Sequence, residues 1–244
     1  MVEFTYDSYF EHVKLLLEKG YKIVSYGDKS PGKKVILRHD VDFSLKKSAE
    51  LAKKEAESGF NIKSVYYVLL RTNFYNVFSH ESAKYIREIL DYGHEVGLHF
   101  DETFYSFNSK EEFKEAVHKE AALLEQVTGE PVTSVSMHRP SKFVLEGDIQ
   151  FDGIINSYSQ EYFKEWKYVS DARMNWREDL DEIVECGQHE KIQIVTHAFW
   201  YADQRESTKD KLMKFISEAK EERYYSVNNN FRNLAEFIAR EDVV

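Results

Sequence analysis

Short apolar runs alternate with amphipathic stretches along the chain, a pattern that predicts a parallel sheet or barrel with helices outside it. The runs Val35–Leu37, Ser64–Leu70, Glu95–His99, Val132–Met137, Gly153–Ser157, Ile183–Glu185 and Ile192–Thr196 are rich in apolar, mostly β-branched or aromatic residues. Each has the length of a buried strand. Between them, helical spacing lines up Leu45, Ala49, Ala52 and Ala56, then Ala83, Ile86, Ile89 and Leu90, then Phe113, Val117, Ala121 and Leu124. These stripes are core faces and carry no chemistry. Tyr9–Leu17 is expected as an N-terminal helix, with Lys211–Ala219 and Asn230–Ile238 as helices that close the fold. The least regular stretch, Arg139–Asp171, holds Phe151, Tyr158, Tyr162, Phe163, Trp166 and Tyr168. These rings are either a wall for a sugar or packed surface.

The first run ends abruptly in His39, Asp40 and Asp42. Alternate residues of a strand share a face, so Asp40 and Asp42 project together at its end. Two adjacent carboxylates repel unless a cation or a shared proton relieves them, which points to a metal site or an acid/base pair. The plainer alternative is one Asp capping the next helix and the other exposed. The other polar residues decide between these. His99 and Asp101 follow the third run, His138 and Arg139 the fourth, and His197 the last, all at C-terminal strand ends. That rim is where catalytic groups gather in α/β barrels, because its loops vary without disturbing the core. Four of nine histidines at equivalent ends are most simply explained by one convergent site.

Composition narrows the chemistry. The single cysteine, Cys186, excludes thiolate cages and internal disulfides. Imidazoles with carboxylates suit a divalent ion, zinc above all. A net charge of −10 argues against nucleic acid as a partner. At 244 residues with 42% hydrophobic composition, one domain over residues 1–244 is expected. No signal-peptide pattern and no membrane-length apolar run is found, so a cytoplasmic location without a membrane span is the expectation.

With these residues in hand, the chain resembles the polysaccharide deacetylase superfamily in the order and spacing of five motifs. Leu37-Arg38-His39-Asp40-Val41-Asp42-Phe43-Ser44 is similar to the first, in a His-Asp-Val-Asp variant, and Gly93-His94-Glu95-Val96-Gly97-Leu98-His99 to the second. Met137-His138-Arg139-Pro140-Ser141 resembles the Arg-and-Pro motif, Ser170-Asp171 through Trp176 the late Asp-and-Trp element, and Val195-Thr196-His197 the closing motif. The resemblance implies a distorted (β/α) barrel of about seven parallel strands with outer helices. It also implies a metal-dependent hydrolase acting on an N-acetyl, or N-formyl, amino sugar. Asp40 is then the base, Asp42 and His99 are metal ligands, Arg139 orients the base, His197 is the general acid and Asp171 orients His197. His94 becomes structural.

The chain departs from the family at Thr103, where typical members carry a second histidine. His138, Asp101 and Glu102 are the candidates for the third ligand. His138 is favoured because it keeps two nitrogens and one carboxylate. The expected partner is an amino-sugar small molecule or glycan precursor of surface polysaccharide. The competing readings are a sugar-binding pseudoenzyme that has lost hydrolysis with that ligand, and a metal-dependent hydrolase of another amide or ester.

Overall fold

The computed structural model describes residues 3–243. Its elements run α1 (Tyr6–Glu18), β1 (Lys22–Ile23), β2 (Lys34–Val41), α2 (Leu45–Glu57), β3 (Val65–Leu69), α3 (His80–Asp91), β4 (Glu95–Phe100), α4 (Lys110–Thr128) and β5 (Ser134–Met137). They continue with α5 (Lys142–Gly147), β6 (Ile155–Asn156), β7 (Lys167–Ser170), α6 (Leu180–Cys186), β8 (Lys191–Thr196) and α7 (Thr208–Asn230). Every strand pairing is parallel, in the order β6-β5-β4-β3-β2-β8-β7. β1 pairs only with the start of β2, through Lys22 and Lys34. The seven-strand path curls into a half-barrel with helices around it, the distorted (β/α) barrel that the resemblance implies. Among the described residues, no helix is long and apolar enough to cross a membrane.

Alternation along β2 sorts its side chains. Ile36, Arg38 and Asp40 face the barrel interior, where Ile36 packs with Tyr162 and Trp166. Leu37 joins the layer under α1, and His39 reaches Glu55 of α2. Gly97 of β4 is a glycine for a steric reason: a Cβ there would lie 2.4 Å from the Tyr67 ring. That ring in turn lies beneath the Arg38 guanidinium, 5.3 Å from its centroid.

Three expectations about elements are corrected. Ile183–Glu185 belongs to helix α6, because Asp179 accepts the amides of Asp181 and Glu182 at its start and Gly187, at φ +65°, ends it. The strand in that region is β7, whose single buried residue, Val169, gives it little apolar signature. On α2 it is Glu55, not Ala56, that is buried. Asn230–Ile238 is not a helix: α7 continues to Asn230, and Asn233 then turns left-handed at φ +58°. Lys211–Ala219 is helical within α7, whose Leu212 packs against the layer under α1 and whose Phe215 meets Phe43 and Phe199.

Candidate active site

The ends of β2, β4, β5, β7 and β8 bring the candidate residues together. Asp42 lies just past β2, His99 near the end of β4, and His138 just past β5. Asp42 Oδ1 is 3.2 Å from His99 Nε2 and 3.3 Å from His138 Nδ1, and those two nitrogens are 3.3 Å apart. Ligands about 2.0–2.1 Å from a tetrahedral zinc stand about 3.3 Å from one another, so the trio has the mutual spacing of a metal cradle. Asp42 Oδ1 is buried without a hydrogen-bond partner, an orphaned acceptor aimed at the gap between the imidazoles. Burial alone would raise the Asp42 pKa, but His138, His99 and His197 hold it well below the usual carboxylate range. His99 Nδ1 faces the Ser136 carbonyl at 3.4 Å, which turns Nε2 toward Asp42. Asp42 and His138 are partly exposed, leaving one side of the cradle open.

The other candidates for the third ligand are engaged elsewhere. Asp101 Oδ1 accepts from the backbone and hydroxyl of Thr103 at 3.0 and 2.6 Å. Glu102 accepts from the amide and hydroxyl of Ser141 at 2.6 and 2.8 Å, anchoring the start of α5. His138 is the candidate that lies beside Asp42 and His99, and Thr103 tightens a turn.

Asp40 is gripped by an arginine from its own strand. Arg38 Nε donates to Asp40 Oδ1 at 3.0 Å and a terminal nitrogen to Oδ2 at 2.8 Å, a two-pronged contact. The guanidinium also donates to Ser157 at 2.9 Å and Ser136 at 2.5 Å, and lies against the Tyr67 and Tyr158 rings. Burial would raise the Asp40 pKa, yet Arg38, aided by His99, lowers it. The expected contact of Arg139 with the base is corrected: Arg139 is 72% exposed and its ion pair is with Asp101 at 3.5 Å. Its backbone explains the displacement. At φ +52° the residue after His138 turns left-handed, carrying the side chain to the surface. Arg38 was the functional residue the sequence reading passed over. Its signal was a charge inside an apolar run, on the face of Asp40.

On the opposite side, His197 Nδ1 meets Asp171 Oδ1 at 2.6 Å and the His197 amide donates to Asp171 Oδ2 at 3.1 Å. His197 Nε2 is 3.7 Å from Asp42 Oδ2. Burial pushes the imidazole pKa down, but Asp171, then Asp42 and Asp40, raise it to about 9, so it is an imidazolium at neutral pH. The loop after Asp171 is strained, with Arg173 at φ +60° and Met174 at φ +56°, conformations that cost on the order of 1 kcal/mol or more per residue. His94 is structural. Its Nδ1 accepts from the Ser64 amide at 3.3 Å and its Nε2 faces the Ala52 carbonyl at 3.0 Å.

Most of the aromatic middle segment is packed, with Phe163 and Tyr168 half-buried. Phe151, Tyr158, Tyr162 and Trp166 are all buried, and Tyr158 serves Arg38. The rings beside the site are others: Phe43, next to Asp42, stacks on Phe199 at 4.6 Å and meets the exposed Phe74 at 5.0 Å.

No family model and no curated protein sequence matches the chain. Solved structures of family 4 carbohydrate esterases are similar to it. A wild-type pseudoenzyme of that family from Bacillus anthracis is 17% identical, with TM-score 0.45, over 84% of this chain and 65% of that one. The chain thus spans about two thirds of that protein's length. A family 4 carbohydrate esterase from Bacillus anthracis is 16% identical over 87% of this chain and 86% of its own, with TM-score 0.41. The peptidoglycan deacetylase PdaC from Bacillus subtilis is 15% identical over 77% and 85%, with TM-score 0.42. At such identities and TM-scores the functional reading rests on the site's own residues.

Proposed function

We propose that the chain is a metal-dependent hydrolase that removes an N-acyl group, acetyl or formyl, from an amino sugar of a glycan precursor. The observation that carries this is the convergence on Asp42: two imidazole nitrogens at 3.2 and 3.3 Å, with a paired carboxylate and a paired imidazolium on either side. Asp42, His99 and His138 would hold the ion. A divalent ion, zinc by its donor set, supplies there a Lewis acid that polarises the acyl oxygen and acidifies water. Asp40, kept ionised and oriented by Arg38, takes a proton from the attacking water, whose oxygen bonds to the acyl carbon. The C–N bond breaks as His197 Nε2 gives its proton to the departing nitrogen, and Asp171 stabilises the imidazolium until then. The products are a carboxylate and a free amine. A binder that never turned over would have no use for an acid and a base facing one cradle, which favours this reading over a sugar-binding pseudoenzyme.

Elemental analysis of the purified protein tests the cradle. Near-stoichiometric zinc or a related ion is expected in the wild type, with loss in Asp42→Ala, His99→Ala and His138→Ala. Amine release from N-acetylated amino sugars tests the chemistry: Asp40→Asn should keep the metal while turnover falls at least about 10²-fold. A protein that neither contains nor takes up metal would sink the proposal.

A further inference from the structure

Helix α7 is mounted with its polarity reversed. It packs on the body through its first turns: Leu212 joins the layer under α1, Phe215 meets Phe43 at 5.9 Å and Phe199 at 5.1 Å, and the buried Lys211 pairs with Glu206 at 3.0 Å. Further along, Glu218, Glu221 and Glu222 line a cavity of about 430 Å³ that they share with Lys46 and Lys47 of α2. The acids therefore turn inward. At about 100° per residue, Met213, Ile216, Lys220, Tyr224, Val227 and Phe231 fall within an arc of about 80°, centred about 140° round the helix from Phe215. Met213, Ile216, Val227 and Phe231 are 56%, 59%, 40% and 47% exposed, and Phe237, at 70%, meets the Phe231 ring at 5.5 Å. Together they bare roughly 500 Å² along about 27 Å of helix, a patch of the size that marks an interaction site.

Charge decides what covers the patch. Lys209 and Lys220 lie in the same arc and Arg223 at its edge, all three exposed. The one acid on that half of the helix is Asp210, which accepts from Ser207 in the first turn. In a chain of net charge −10, the outer face of α7 is thus apolar and basic. A second copy paired on this stripe would set its own Lys220 and Arg223 close to the same cations here. We propose that α7 docks the protein on an anionic phospholipid surface. Met213, Ile216, Val227 and Phe231 enter the boundary between headgroups and acyl chains, while Lys209, Lys220 and Arg223 pair with lipid phosphates. The helix lies along the surface and does not cross it. The docking is independent of the hydrolase reading.

Flotation of the full chain with vesicles tests this, comparing phosphatidylcholine alone with phosphatidylcholine mixed with phosphatidylglycerol. The protein should float with the anionic vesicles, and added salt should weaken the binding without abolishing it. Ile216→Glu and Val227→Glu should each weaken it about tenfold or more. Lys220→Gln combined with Arg223→Gln should do the same on anionic vesicles. Lys53→Gln, on an exposed face of α2, should leave binding unchanged. All these side chains are exposed, so the variants should keep the wild-type thermal melt. Sedimentation velocity without lipid reports on the competing occupant, a second copy. No binding to either vesicle, equal binding to both, or an affinity unchanged in both Glu variants would overturn the docking. So would a wild-type dimer that ignores vesicles and that Ile216→Glu splits into monomers.

Discussion

At the scale of single residues, the decisive pair is Arg38 with Asp40, both buried inside the barrel, at 0% and 7% side-chain exposure. A buried ion pair gains little over an apolar pair, but breaking one by deleting a partner strands the other charge. Arg38→Met should therefore destabilise the protein by about 3–5 kcal/mol in urea unfolding. It should also remove the main influence that lowers the Asp40 pKa, so turnover falls and its acid limb moves to higher pH. Arg38→Lys keeps a charge without the fork and should lose less on both counts. Arg139→Met, at 72% exposure, should change stability by less than about 0.5 kcal/mol. Equal destabilisation by the two Met variants would remove Arg38 from its assigned place.

Among the elements, α2 is fastened by Glu55, fully buried, which accepts from Ser64 at 2.8 Å, Tyr66 at 2.7 Å and the Tyr9 hydroxyl, and meets His39 at 3.1 Å. One carboxylate thereby joins α1, α2, β2 and β3. Burial alone would raise its pKa, but His39, His94 and Tyr66 bring it from 4.5 to about 2. A depressed carboxylate stabilises the fold above its unfolded pKa. That contribution, on the order of a few kcal/mol, should be intact above pH 4.5 and lost as pH falls toward 2. Glu55→Gln should flatten the acid side of the stability curve; an unchanged curve would disprove the coupling. The stripe Leu45, Ala49, Ala52 marked α2 in the sequence, but periodicity predicted Ala56 inside, because nothing local shows that four partners wait around Glu55. The same limit explains the other misses. Leu180 and Val184 are buried at helical spacing, yet Ile183-Val184-Glu185 reads as a strand until the Asp179 cap is seen. The clustering of Asp42, His99 and His138 was legible because strand ends announce themselves, whereas the exchange of Arg139 for Arg38 depends on a backbone turn at one residue.

For the whole molecule, the proposed ligands span the sheet: Asp42 follows β2, His99 sits in β4 and His138 follows β5, with β3 between. The sheet's path ends at β6 and β7, so the curl of the half-barrel is not completed by strand pairing between them. An ion bound to those three side chains is bound only by the folded chain, since the unfolded chain scatters the ligands over roughly a hundred residues. Folding and metal binding are then linked by mass action. Zinc at a hundred times its dissociation constant should add about 2.7 kcal/mol, which for a chain of this size raises the melting temperature by about 5–10 °C. Chelation should reverse the shift. Asp42→Ala separates this linkage from general ion effects. The variant should keep a cooperative melt and lose the zinc-dependent rise, whereas a rise that survived would place the ion elsewhere on the protein and undo the cradle.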